Sequence, residues 1–175
     1  PAQTGQSQLA ALLPSLRKTH EQRKGKEVPQ DTGGRLPADI NNGVAQLKTL
    51  KLSKVKEGGK NAGKLQLYAD AVMKEPEATE SGQPVRGLLT RTIIPLYNTP
   101  ERTVKTAADH FVVVQDLVSR LLGHNAITDE VSPDNIEAAM ADLVQRKPHF
   151  GVRTWKGNKQ DLRQIGGKWF LVNLD

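Results

Sequence analysis

The sequence predicts an α+β fold: an OB-like five-stranded mixed or antiparallel barrel, two helices between strands three and four, and a flexible basic N-terminal arm. Three observations predict it. Between residues 44 and 96, apolar side chains fall into three runs of strand character, separated by turns rich in Gly, Asn and Pro. Between 104 and 144 the apolar spacing becomes helical. Beyond Pro148 two more strand-like runs follow. Three strands, two helices and two strands is the order of an OB barrel, and 175 residues hold its small core together with an arm.

Residues 1–35 form the predicted arm. Its apolar patch, Leu9 to Leu16, is broken by Pro14, and the rest is rich in Gln, Gly, Lys and Arg. The domain spans 36–175 and opens on the turn residues Pro37, Asn41, Asn42 and Gly43. Val44–Val55 is the first strand. Its apolar phase slips by one residue between Leu47 and Leu50, the mark of a bulge. Residues 57–63 (EGGKNAG) make a hairpin turn. In the second strand, Lys64–Lys74, the residues Leu65, Leu67, Ala69, Ala71 and Met73 face the core, while Lys64, Gln66, Tyr68, Asp70 and Lys74 face away. Pro84–Leu96 is the third strand, with Pro95 at an edge or end. A helix follows with Val104, Ala107, Ala108, Phe111, Val114, Val118, Leu121 and Leu122 inward, stopped by Gly123. Ser132 and Pro133 open a second helix, with Ile136, Met140, Leu143 and Val144 inward, which ends at Pro148. His149–Lys156 and Lys168–Leu174 are strands four and five.

Charge narrows the function. The net charge is +6. It comes from residues 1–35, 43–75 and 145–175, whereas residues 76–144 carry five basic and ten acidic side chains. A segregated basic excess favours polyanions. The absence of Cys excludes disulfides, Fe–S clusters and thiolate zinc sites. No apolar run is long enough to cross a membrane, and residues 1–35 show no secretory pattern, so the expected place is the cytoplasm or nucleoid of a bacterial host.

Residues 58–64 (GGKNAGK) match the spacing of a phosphate-binding P-loop, but Leu65 stands where Ser or Thr would hold magnesium, and a strand follows where a helix is needed. A hairpin tip is the better reading, and its Lys60 and Lys64 can still meet phosphates. Tyr68 and Trp155 lie among basic residues, where an aromatic ring can stack a base. His20, His110, His124 and His149 have no nucleophile at useful spacing, so no enzyme is expected. Asp129, Glu130, Asp134 and Glu137 are read as helix-dipole partners, not metal ligands, and no cofactor is expected.

From Leu36 to Trp155 the chain resembles a family of small phage-encoded proteins from replication and recombination cassettes. The residues that carry this are the turn Leu36-Pro37-Ala38-Asp39, the run VAQLKTLKLSKVKEGGKNAGK leading into KLQLYADAVMKEP, the helix end LVSRLLG, and Phe150, Arg153, Thr154, Lys156 and Gly157. Asp39 departs from the family's Gly. The resemblance implies an OB-like single-stranded-DNA-binding protein. The expected function is therefore largely sequence-independent binding of single-stranded DNA, with RNA as the alternative polymer. Lys48, Lys51, Lys54, Lys56, Lys60 and Lys64 would track phosphates together with Arg153, Lys156 and Lys159, while Tyr68 and Trp155 would stack bases. Two other readings remain open: a self-associating phage virion or assembly protein, and an accessory factor that recruits a replication or recombination protein.

Overall fold

A computed structural model describes residues 5–28, 40–79, 82, 84–154 and 172–173. The elements run α1 (Gly5–Arg23), β1 (Ile40–Lys54), β2 (Leu65–Glu75), β3 (Leu89–Pro95), α2 (Ala107–Leu121), a 3-10 turn (Asp129–Val131), α3 (Ile136–Arg146), β4 (His149–Thr154) and the two-residue β5 (Val172–Asn173). The architecture is α+β. The sheet has the order β3-β2-β1-β4-β5, and every pairing is antiparallel. Among the described residues no ladder joins β3 to β4 or β5, so the sheet is open and the expected barrel closure is not seen.

β1 organises the sheet. Its residues 44–54 pair with β2 and its residues 40–46 pair with β4, so Val44, Ala45 and Gln46 have strand partners on both edges. The expected bulge is present: the register on β2 shifts between Leu47 and Thr49, leaving Lys48 without an opposite residue. The extra residue returns Leu50 to the buried side, opposite Ala69. β2 alternates as expected, with Leu65, Leu67, Ala69, Ala71 and Met73 buried.

Helices α2 and α3 cover this apolar face. Phe111, Val114, Leu117, Val118 and Leu121 of α2 and Ile136, Met140 and Leu143 of α3 are buried there beside Phe150 of β4. Thr106 caps α2 by accepting a hydrogen bond from the Asp109 amide at 3.1 Å. Gly123, at φ 81°, ends it, with the Gly123 and His124 amides bonded to the Arg120 and Ser119 carbonyls. α3 begins three residues later than predicted. Ser132 instead accepts backbone bonds from Asn135 and Ile136, in a turn that precedes the helix.

The N-terminal segment departs most from expectation. Residues 5–23 form a helix despite Pro14, and the structure gives no mobile arm there. Leu9, Leu12, Leu13 and Leu16 repeat at helical spacing; Leu9 and Leu16 are buried and the other two pack against the core. An interior Pro costs an isolated helix about 3 kcal/mol. Burying a Leu side chain returns about 2 kcal/mol, and two of them, Leu9 and Leu16, are buried, so tertiary packing outweighs the local defect.

Charge fixes the same helix in place. Arg17 bonds both carboxylate oxygens of Asp134, at 3.1 and 2.7 Å. Arg23 pairs with Asp116, and Lys24 reaches Asp129 at 2.6 Å. Residues 25–28 then bond the backbone of 125–127, through Gly25 to Ile127, Ile127 to Lys26, and Val28 to Asn125. Asp129 and Asp134, read from sequence as dipole partners, therefore serve mainly as the seat of α1.

His110 ties the segment after β3 to α2. The Thr99 hydroxyl donates to the Val104 carbonyl at 2.7 Å, so it accepts from His110 Nε2–H at 2.8 Å. Burial lowers the His110 pKa, with Arg102 acting in the same direction.

Two outcomes follow. Leu16→Ala should lower unfolding stability by about 2–5 kcal/mol in urea titration; a mobile arm would show no change. The unfolded chain protonates His110 near pH 6.5, while the folded chain resists protonation until a lower pH. Stability should thus be flat in this respect above pH 6.5 and decline below it. His110→Gln should reduce that decline in thermal melts taken from pH 7.5 to 5.

Candidate nucleic-acid interface

The face of β1, β2 and β3 turned away from the helices carries the candidate site. On it, Lys51 of β1 stands opposite Tyr68 of β2, and Tyr68 stands opposite Ile93 of β3. One step along, Thr49, Asp70 and Arg91 form the next row. The Arg91 guanidinium lies over the Tyr68 ring, 4.8 Å from its centroid, and Arg91 Nε donates to Asp70 Oδ1 at 3.0 Å. That bond holds the guanidinium more firmly in its charged form. Asp70 is buried, while Lys51, Arg91, Leu89 and Ile93 are exposed and Tyr68 is partly exposed. An aromatic ring, an oriented guanidinium and a nearby ammonium thus share one solvent-facing surface. Such a surface can stack a planar base and neutralise a phosphate.

The remaining predicted site residues are spread along the sheet. Lys48 is the bulged residue of β1 and is exposed. Lys54 pairs with Leu65, so its register position belongs to the opposite face from Lys51. Lys56 is exposed in the hairpin. Lys60 Nζ contacts Glu101 Oε1 at 2.8 Å and holds that carboxyl below its usual range. Lys64 bonds Asn61 Oδ1 at 3.2 Å and lies over the ring of Tyr97, 5.3 Å from its centroid. The turn itself closes through Val55 and Lys64, and β2 follows it directly, as a hairpin requires and a P-loop forbids.

Arg153 lies in β4 between Val152, the partner of Gly43, and Thr154, the partner of Ile40. Gly43 is eight residues before Lys51 on the same strand, or about 26 Å at about 3.3 Å per residue. The described residues therefore bring Lys51 and Tyr68 together and leave Arg153 beside the far end of β1. Trp155, Lys156 and Lys159 lie outside the described residues.

Arg91 and Asp70 complete the site and were not singled out from sequence. The signal was present for Arg91. It sits two residues before Ile93 in the third strand, at the parity of the solvent face.

One group of metal-ligating residue types converges among the described residues: His20, Glu21 and Asp129, with ligand atoms within 4.8 Å of one another. They line a cleft of about 490 Å³ beside α1 with Arg17, Ser132 and Asn135. Two of its three donors are already engaged. Gln115 Nε2 can only donate, so His20 Nδ1 accepts at 2.8 Å and Nε2–H donates to Asp129 at 3.1 Å. Lys24 takes the other Asp129 oxygen. The cluster therefore belongs to the α1 ion-pair network.

Compared with known proteins, the chain matches no protein-family model, no curated protein and no solved structure.

Asp70→Asn should release Arg91 from its position over Tyr68. The Arg91 Nε–H should exchange faster with solvent and its NMR order parameter should fall. An unchanged order parameter would mean that the ring alone holds the guanidinium.

Proposed function

We propose that this protein binds single-stranded nucleic acid, with DNA as the preferred polymer and little sequence preference, in replication or recombination of a phage type. The observation that carries the proposal is the Lys51, Tyr68 and Arg91 cluster on the solvent face of β1–β2–β3. The fold is in keeping with it. A long first strand that pairs with both the second and the fourth, and a helix between strands three and four, are features of an OB-type barrel. Among the described residues no ladder joins β3 and β5. OB barrels use the face of strands two and three for oligonucleotides, and Tyr68 and Arg91 occupy that face here.

The chemistry is sequence-tolerant because every base has a π-face and every linkage a charge. Arg91 reaches the surface already oriented by Asp70 and Tyr68, so binding orders less side chain than a free Arg would require. Lys51 supplies a point charge for a phosphate beside the stacked base. The N-terminal cations Arg17, Arg23 and Lys24 take no part, because they are paired with carboxylates of the helical layer. This reading includes no catalytic step, metal or cofactor.

A second reading, self-association as in a virion or assembly protein, is favoured by a specific observation. β3 is the edge of the described sheet, and its Leu89 and Ile93 are 42% and 49% exposed. Exposed apolar side chains on a sheet's outer strand can pack against a second copy.

Fluorescence anisotropy with single- and double-stranded oligonucleotides, at several salt concentrations, separates the two. The first reading expects tighter binding of single strands. Tyr68→Ala should weaken it by about 1–3 kcal/mol, and Lys51→Ala should reduce the log–log salt slope by about 0.7. Equal affinity for both forms, or no binding at low salt together with large assemblies on a sizing column, overturns it in favour of the second.

A further inference from the structure

Tyr97 lies two residues beyond the end of β3, and the ladder continues to meet it. The Leu96 amide bonds the Leu65 carbonyl at 2.9 Å, and Val55 and Lys64 bond across the first hairpin. Gln66 pairs with Pro95, so the same register sets Lys64 opposite Tyr97. Ile94 and Leu96 are buried in the core. Alternation along the chain therefore sends Tyr97 to the face that carries Arg91 and Ile93. Tyr97 is partly exposed, and the Lys64 ammonium lies 5.3 Å from its ring centroid. The sheet face thus carries two tyrosines, each with a cation over its ring: Tyr68 with Arg91, and Tyr97 with Lys64.

We infer that Tyr97 and Lys64 form a second base-stacking station, and that the bound strand runs along β2 and β3 from Tyr68 toward the first hairpin. This rests on the proposal that the same face binds single-stranded nucleic acid. Tyr97 is four residues from Ile93, the cross-strand neighbour of Tyr68. At about 3.3 Å per residue along the strand and about 4.8 Å between strands, the two stations are about 14 Å apart. Bases in a duplex rise by only about 3.4 Å and hide their faces in the stack. A stacked duplex therefore cannot supply both stations, whereas an extended single strand can place one base on each. Gln66 lies between them on β2 and bonds Ser53 of the neighbouring β1 at 3.5 Å, so both offer hydrogen bonds beside the path. Lys64 then serves a base through Tyr97 and the adjoining phosphate through its charge.

The test is affinity against length for a ladder of short thymidine oligonucleotides, read by anisotropy with the whole chain. Wild-type affinity should rise in a step at the length that first spans both stations. Tyr97→Ala should abolish that step, weakening long oligonucleotides roughly 5- to 100-fold, and leave the shortest binders unchanged. Tyr97→Phe should keep the step, because the ring is retained. Lys64→Gln leaves the ring in place and should lower the salt slope for long oligonucleotides alone. If Tyr97→Ala binds every length like the wild type while Tyr68→Ala is weakened, the second station is overturned and the first stands. Failure of the wild type to bind any length overturns the whole interface. Equal losses for Tyr97→Ala and Tyr97→Phe overturn stacking as the role of the ring.

Discussion

Between Leu47 and Thr49 the ladder of β1 on β2 absorbs one extra residue, and the rest of the structure depends on that register. Side chains alternate across a sheet with a period of two, so a slip of one residue exchanges its faces. Without the bulge at Lys48, Ala45 and Leu47 could not share a core side with Leu50. With it, the buried side is continuous from Ala45 to Leu50, and Lys51 stands opposite Tyr68 on the other side. The bulge lies just beyond Gln46, where the pairing of β1 with β4 ends while its pairing with β2 continues to Lys54. The core and the candidate interface are thus two consequences of one register.

The segregation of charge has an internal use as well as an external one. The acidic middle of the chain supplies Asp116, Asp129 and Asp134, and the basic N-terminal segment supplies Arg17, Arg23 and Lys24 to meet them. Most of these groups are well exposed, so each pair contributes little on its own and weakens with salt. Their value lies in orientation: they set the azimuth of a helix whose leucines supply the burial. The sheet and its first hairpin carry cations that take no part in seating α1, among them Lys51, Lys60, Lys64 and Arg91. Even there Lys60 is balanced by Glu101 and Arg91 by Asp70. The net charge of +6 is what remains after such pairs cancel, so it measures the excess of cations over carboxylates and not their position.

Aromatic residues are scarce in this chain, and their placement carries corresponding weight. Phe111 and Phe150 fill the core, whereas Tyr68 and Tyr97 remain partly exposed beneath cations. A tyrosine at a sheet surface under a guanidinium is held in position without being hidden. That combination of rigidity and access suits a ring that receives a flat ligand.

The sequence by itself determined the order of elements from β1 onward, the core face of β2, the bulge in β1, most of the inward residues of α2 and α3 and the stop at Gly123. All of these follow from local periodicity and backbone chemistry, which neighbouring residues carry between them. Tyr68 and the hairpin lysines were legible for the same reason. α1 was hidden by Pro14, although Leu9, Leu12, Leu13 and Leu16 carried the helical spacing; a local breaker is outweighed only when partners distant in sequence bury the face. Arg91 over Tyr68, Lys64 over Tyr97 and the distance between Lys51 and Arg153 were decided by strand register alone. Residues 23 or 33 apart in the chain become neighbours through hydrogen-bonded pairing, and no composition or spacing within one strand records which residue lies opposite in the next.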